Sequence, residues 1–496
     1  MVSHSCEHNM EGIISDELMI DLNNKRVSED QLEKILSCCG RVDVTFVDVK
    51  KIVVKFQNKD HVIRSVNHKC QGSLILMNRF SRTLRTRLVS YNFNGLWKSL
   101  SPKLEILNGD SPIEKLPGDC LMKIFSFLPI MEKLMIERVC RRWREIGLQG
   151  WPEMKQLRIS SELSKFTPSQ LKQIFSRCGR FLKLLVIPVI NEETDCLPLV
   201  KLHCLQLNQL AVDINFKAFP KLEMYCKNLA EIFGACERLT SVKISGVHSN
   251  FNYECLEGLP RDRMRELRLY GPSSEHGTPL HLNLHGFESL EELELKGFVI
   301  DEKSLIGLEN LRNLTALSLV NSQVHVNHVK KIKEFLKLQQ LSLENIISEI
   351  DDEDLSEIAR NCRDLSSLNI NRLDRLTDRC FEQISHLQRL EKLEMMGLTR
   401  VTDAAILGLF NLKELRCQDC RRIGNTGFVR LIKWAPNLAK LWVEGPLITE
   451  DFLVDVNDAM QYRTSGVRLH LHLHSDAEDW EQPRYLSPLL MLAYTW

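Results

Sequence analysis

Three short stretches carry residue types that could do chemistry. In VRLHLHLHSDAEDW, His470, His472 and His474 alternate with Leu469, Leu471 and Leu473. A period of two puts the three imidazoles on one face of a strand, where they could ligate a metal ion or sense pH. In LRCQDC, Cys417 and Cys420 form a C-x-x-C pair, half of a zinc site if a second pair stood at comparable spacing. In VCRRWREI, residues 139–146, a cysteine, a tryptophan and three arginines crowd together. That grouping fits a reactive thiol, a grip for nucleic acid, or the end of a helix with one packed face.

The first two kinds of chemistry need partners that the sequence does not supply. No second ligand pair matches the C-x-x-C, and no outside ligand can be named for the histidines. G-x-S-x-G, Walker A, G-x-G-x-x-G and H-E-x-x-H motifs are absent. No catalytic residue, metal or cofactor is therefore expected, and the chain does not read as an enzyme.

The elements that must position these residues are repeats. The frame L-x-x-L-x-L recurs as SLEELEL, NLTALSL, KLQQLSL, DLSSLNI, RLEKLEM, NLKELRC and NLAKLWV, with weaker copies MKQLRI, FLKLLVI, KLHCLQL, RLTSVKI and RMRELRL. Its third apolar position falls at Ile159, Ile187, Leu207, Ile244, Leu269, Leu295, Leu319, Leu343, Ile370, Met395, Cys417 and Val443. From Ile244 onward the steps are about 22 to 27 residues, inside the range of leucine-rich repeats. The wider step from Leu207 to Ile244 implies an insertion or a degenerate unit. Helical i, i+3, i+4 stripes stand between the strands, as at Leu355, Ile358 and Ala359 and at Phe428, Leu431 and Ile432. One strand and one helix cannot close a core alone, so the units must stack, with strands lining the inner face of a horseshoe.

This frame, with the turn signals LTD, VTD and ITE at 376–378, 401–403 and 448–450, resembles the cysteine-containing leucine-rich repeats. That resemblance gives Cys417 an apolar strand slot and Cys420 a position taken by Cys or Asn in the subtype. Cys236 and Cys362 read as small core hydrophobes in the same way. The three histidines then belong to a last repeat strand, facing solvent or the tail.

Upstream stands SPIEKLPGDCLMKIFSFLPIMEKLMIERVCRRWREIG, residues 111–147. Leu121, Ile124, Phe125 and Leu128 make one helical face, closed by Pro129. Leu134 opens a second stretch, and Val139, Cys140, Trp143, Ile146 and Gly147 fall on one side of a helix. Arg141, Arg142 and Arg144 point away from that stripe, with Glu137 and Glu145 each four residues from Arg141. Two or three short helices in about 40 residues form too small a core to stand comfortably alone, which invites a partner.

The spelling resembles an F-box: Leu116 and Pro117 lead, Ile124-Phe125 and Leu128-Pro129 follow, and Val139, Cys140, Arg142 and Trp143 close it. The resemblance implies docking on a Skp-type adaptor and, through it, on cullin and RING subunits. By position, Leu116, Pro117, Leu121, Ile124, Phe125 and Leu128 would face the adaptor, while Val139 and Trp143 would mix adaptor contact with internal packing. An F-box followed directly by leucine-rich repeats resembles the substrate receptors of SCF ubiquitin ligases, over residues 111 to about 475.

Alternation along the repeat strands turns the residues flanking the second and third leucines toward the concave face. Arg268, Tyr270, Arg416, Trp442 and Glu444 are the expected contacts for a protein substrate, since Trp, Tyr and Arg dominate interface hot spots. The mixture of acids and bases there fits a protein better than a nucleic acid.

Residues 16–80 read as strand, helix, strand, strand, helix, strand, a ferredoxin-like α+β plan similar to an RNA-recognition motif. Where that family stacks bases on aromatics, this chain supplies Met19, Lys51 and Val53, leaving only Phe56, at a position better suited to the core. Arg79, Arg82, Arg85 and Arg87 could touch phosphate, but a linker over 81–110 explains them as well. A structural or protein-interaction role is expected, and an RNA-binding or ribonucleoprotein scaffold is the alternative.

The composition is compatible with all of this. Lys plus Arg and Asp plus Glu are each 65 in 496 residues, so no global field favours polyanions. Sixteen cysteines without a secretory leader point to reduced thiols in cytoplasm or nucleus, and no apolar run reaches the roughly 20 residues of a membrane span. The expected order is a flexible 1–15, the RRM-like 16–80, a linker 81–110, an all-helical F-box 111–150, the α/β solenoid 151–475, and a tail 476–496 folded back as a cap.

Overall fold

The computed structural model describes residues 17–21, 42–48, 51–56, 113, 116–159, 166–190, 196–214, 222–272, 277–480 and 483–495. They fall into two compact units that divide between Lys115 and Leu116. In the first unit, β1 (Glu17–Asp21), β2 (Val42–Asp48) and β3 (Lys51–Phe56) form an antiparallel sheet in the order β1-β3-β2, with Met19 registered against Val53. The expected helices at 28–40 and 59–68, the strand at 73–80, residues 1–15, the linker and the four arginines Arg79, Arg82, Arg85 and Arg87 lie outside the described residues. Three strands alone do not make an RNA-recognition motif.

The second unit opens with α1 (Gly118–Ser126), α2 (Ile130–Ile136) and α3 (Arg141–Gly150). Pro117 and Pro129 stand at the N-caps of α1 and α2, where a missing N–H costs nothing because the first turn leaves its donors unbonded anyway. Cys140 caps α3, its Sγ accepting the Trp143 N–H at 3.4 Å. Val139 and Cys140 therefore precede the helix and are exposed, which corrects their expected place on its packed stripe. Ile146 and Gly147 carry that stripe. A Cβ on Gly147 would meet Ile136 Cδ1 at 3.3 Å, so the glycine sits where α2 and α3 pack closely.

The repeats build a sheet of fourteen strands among the described residues, from Gln156–Arg158 to Leu490–Thr495, each paired in parallel with the next along the chain. Leucine stacks on leucine across the ladder, as Leu293, Leu317, Leu341, Leu368, Leu393, Leu415 and Leu441 do, and these side chains are buried in one continuous core. KLHCLQL is the exception. Its first three residues end the helix Leu197–His203, and the unit's strand is Gln209–Ile214, with Leu210, Val212 and Ile214 inward. The third apolar position is thus Val212 rather than Leu207, and the long interval that follows holds the helix Leu222–Ala235.

Two residues past the third apolar position the backbone turns left-handed in repeat after repeat: Gly246, Gly297, Asn321, Asn345, Arg372, Gly397 and Asp419 all have positive φ. Glycine, asparagine and aspartate tolerate that conformation, whereas arginine pays for its Cβ. Replacing Arg372 (φ 60°) by glycine is expected to raise stability by about 0.5 kcal/mol, the relief of roughly 1–2 kcal/mol less the greater freedom of an unfolded glycine. An unchanged or lower midpoint in urea would contradict this.

The Thr-Asp turns explain themselves once the repeats stack. Thr377 donates from N and Oγ1 to the Asp352 carboxylate (2.8 and 2.6 Å), and Thr402 does the same to Asp378 (2.7 and 2.7 Å). Each Asp bonds the Thr of the next unit while each Thr caps its own helix, so the motif is a ladder between repeats. Beyond residue 475, Leu490–Thr495 pairs in parallel with Leu469–His474. The expected cap is in fact a further strand of the sheet. Among the described residues no helix is long and apolar enough to cross a membrane.

Candidate functional site

Two surfaces were expected to carry function, and the structure redistributes the residues of each. On the helical module, Leu121 (0% exposed) and Phe125 (5%) are core, not contact surface: Phe125 packs its ring 5.1 Å from that of Trp143. Leu116, Ile124, Leu128 and Trp143 are half-buried, and Pro117 and Val139 are exposed. Phe127 and Met135, 73% and 61% exposed, were missing from the expected set. A signal existed for Phe127, which falls off the 121, 124, 125, 128 stripe, and a large apolar residue off the stripe of a short helix must face outward. Lys123 Nζ lies 5.2 Å from the Phe127 ring centroid, and both Phe127 and Met135 remain largely open to solvent.

Arg141, Arg142 and Arg144 are exposed as expected, but Arg142 also donates to the Leu116 carbonyl, tying α3 to the lead-in of α1. Glu137 is not on the wet side with them. Its carboxylate is buried and accepts the Trp151 indole N–H at 2.7 Å and the Arg177 guanidinium at 2.7–2.8 Å. Arg177 belongs to α4 (Pro168–Cys178) in the first repeats, so this ion pair fastens the helical module to the solenoid.

On the concave face, Arg268 is already engaged. It forms two bonds with Glu292 (2.9 and 2.8 Å) and lies near Glu266 and Glu294, and the Tyr270 hydroxyl donates to Glu294 at 2.8 Å. This closed network leaves Arg268 and Tyr270 less to offer a partner than their residue types suggest. Toward the C-terminal end, Arg416, Trp442 and His472 share one register on three neighbouring strands. The Arg416 guanidinium lies 4.4 Å from the Trp442 ring centroid, and the His472 ring stacks on the other face at 4.3 Å and 11°. Both indole faces are thus occupied, and the Trp442 edge is what a ligand would meet. Glu414 lies between Lys392, Arg416 and Lys440 at 3.3–3.8 Å, and Glu444 is exposed.

Burial, with His470, Arg416 and Lys440 nearby, lowers the His472 pKa, so the stacked imidazole is neutral at neutral pH. Its Nδ1 and the Gln418 Oε1 are buried and make no hydrogen bond. His470, His472 and His474 do alternate outward from one strand, yet among the described residues no group of three His, Cys, Asp or Glu is placed to hold a metal. Cys417 and Cys420 are fully buried, and Cys420 donates to the Met395 carbonyl at 2.9 Å.

Residues 113–151 match the F-box-like family. No curated protein matches the chain. Among solved structures it is similar to an internalin from Listeria monocytogenes (TM-score 0.41, 14% identity, 72% of this chain and 87% of that one). It is also similar to the Rad7 and Elc1 complex in yeast (TM-score 0.41, 14% identity, 74% and 98%). These likenesses are distant. The chain carries an F-box-like module followed by a leucine-rich-repeat solenoid.

Proposed function

We propose that this chain is a noncatalytic substrate receptor of an SCF-type ubiquitin ligase. The F-box-like match, on a module that exposes Pro117, Phe127, Met135 and Val139 and is bonded through Glu137 to a repeat array, is the observation that carries this. The module docks a Skp-type adaptor, and through it cullin and RING subunits, using those four residues with the half-buried Leu116, Ile124, Leu128 and Trp143. The concave face holds a protein substrate, with Arg416, Trp442 and Glu444 as its principal contacts. Catalysis then belongs to the assembly: the receptor raises the effective concentration of substrate lysines at the ubiquitin thioester, without acid or base chemistry of its own. The setting is cytoplasm, nucleus or both. Met19, Lys51 and Val53 offer no aromatic face for a base, so RNA binding is not favoured.

The test is a pulldown of a Skp-type adaptor by the full chain and by a Pro117→Ala, Phe127→Ala, Val139→Ala variant. These three residues are exposed, so the variant keeps its core, unlike any change at Phe125. Truncating such anchors removes about 2–3 kcal/mol of binding, a loss of roughly 30- to 150-fold. Adaptor retained at the wild-type level would sink the assignment.

A further inference from the structure

Twelve cysteines stand among the described residues, all with free thiols. Most are inert by burial: Cys178, Cys236 and Cys362 are pushed up to about 12, 11 and 12 by desolvation. Two pairs differ, because their thiols are hydrogen-bonded to each other: Cys226 with Cys255, and Cys417 with Cys420. The second pair sits in the solenoid core, fully buried.

The first pair is built differently. Cys226 is on the helix Leu222–Ala235 and Cys255 on the 3-10 turn Tyr253–Gly258, and both line an open cleft of about 670 Å³ with Met224, Lys227 and Glu254. The two elements touch at backbone level one turn further on: a Cβ on Gly258 would lie 2.9 Å from the Ala230 carbonyl oxygen. This contact keeps the two elements together, and the two cysteines, 3% and 4% exposed, form part of the cleft wall. The bond from Cys255 and a second from the Asn252 backbone favour the Cys226 thiolate against the opposing cost of burial, while Cys255 is raised by the same bond and by burial.

We propose that Cys226 and Cys255 are an oxidative modification site, converted by a hydroperoxide to a disulfide that staples the helix Leu222–Ala235 to the turn Tyr253–Gly258. The Cys226 thiolate attacks the distal peroxide oxygen. The O–O bond breaks, an S–O bond forms, and the departing oxygen takes up a proton as water or alcohol. Cys255 then attacks the sulfenic sulfur, the S–S bond forms, the S–O bond breaks, and the Cys255 proton leaves with the hydroxide as water. In sum, two thiols are oxidised by two electrons and one hydroperoxide is reduced.

The full-length reduced protein is exposed to graded hydrogen peroxide, alkylated under denaturing conditions and digested without reductant for mass spectrometry. The expected product is a Cys226–Cys255 linked peptide, two hydrogens lighter than the sum of its parts, while Cys417 and Cys420 are still recovered alkylated. In a Cys255→Ser variant the Cys226 sulfenic acid persists and is trapped by dimedone. Recovery of both Cys226 and Cys255 as alkylated thiols, at peroxide levels that oxidise the exposed Cys120 and Cys140, overturns the proposal. So does a Cys226–Cys255 link that appears only together with a Cys417–Cys420 link, since that marks general opening of the fold.

Discussion

Replacing Glu137 with alanine is expected to destabilise the second unit by about 3 kcal/mol or more. The carboxylate is only 5% exposed and the Arg177 side chain 25%, so removing the acid strands a guanidinium and an indole N–H in a largely dry contact. Glu137→Gln keeps an acceptor for Trp151 but loses the charge, and its cost should be intermediate. A Glu137→Leu, Arg177→Leu pair should recover only the part of the loss due to the stranded guanidinium, because the Trp151 indole N–H stays without its acceptor. Urea unfolding measures all three, and limited proteolysis reports whether cleavage near residue 151 accompanies the loss. If Glu137→Ala unfolds at the wild-type midpoint, the ion pair does not fasten the module to the repeats.

Gly246→Ala is expected to cost several kcal/mol, far above the ordinary price of a left-handed residue, and a comparison within the chain separates the two causes. Gly246 has φ 76° and Gly466 has φ 66°, so an alanine at either suffers the same conformational strain of about 1 kcal/mol. At Gly466 the new methyl meets nothing within 4 Å, whereas at Gly246 it would stand 2.1 Å from the carbonyl oxygen of Ile214 in the preceding strand. A backbone carbonyl cannot rotate away as a side chain would, so the strands themselves must part. The prediction is a loss of about 1 kcal/mol for Gly466→Ala and a loss several times larger, or failure to fold, for Gly246→Ala. Equal losses in paired denaturation curves would show that the close approach of the repeats is not rigid at this position.

These residues also show what can be read from a sequence of this kind. The leucine frame is legible because each repeat solves the same burial problem with the same spacing, and alternation alone places Arg416, Trp442 and the three histidines on the concave face. KLHCLQL mimics the frame while belonging to a helix and a turn, since Leu202 and Leu205 have the right spacing but are exposed. Glu137 looks like a helix-surface acid because its partner, Arg177, stands 40 residues away and no local pattern reports it. The same holds for Arg268, whose partners Glu292 and Glu294 stand on the next strand of the sheet, 24 and 26 residues away. On the helical module a family spelling marks which residues matter, but not which of them are consumed by packing: Leu121 and Phe125 fill the core, leaving Phe127 and Met135 outside. The last strand was hidden by tail-like composition, although the alternation of Leu490, Leu492 and Tyr494 was there to be seen.

A receptor must join two partners through two separate surfaces, so the decisive measurement compares three full-length chains in cells: wild type, the Pro117→Ala, Phe127→Ala, Val139→Ala variant, and Trp442→Ala. Proximity labelling with and without proteasome inhibition, read with ubiquitin-remnant mass spectrometry, scores capture and modification together. The wild type should label a Skp-type adaptor and a set of proteins that gain ubiquitin and accumulate under inhibition. The module variant should keep those proteins while losing both the adaptor and their ubiquitin, and Trp442→Ala should keep the adaptor while losing the proteins. Ubiquitin on the captured proteins that is indifferent to the module variant would contradict the account.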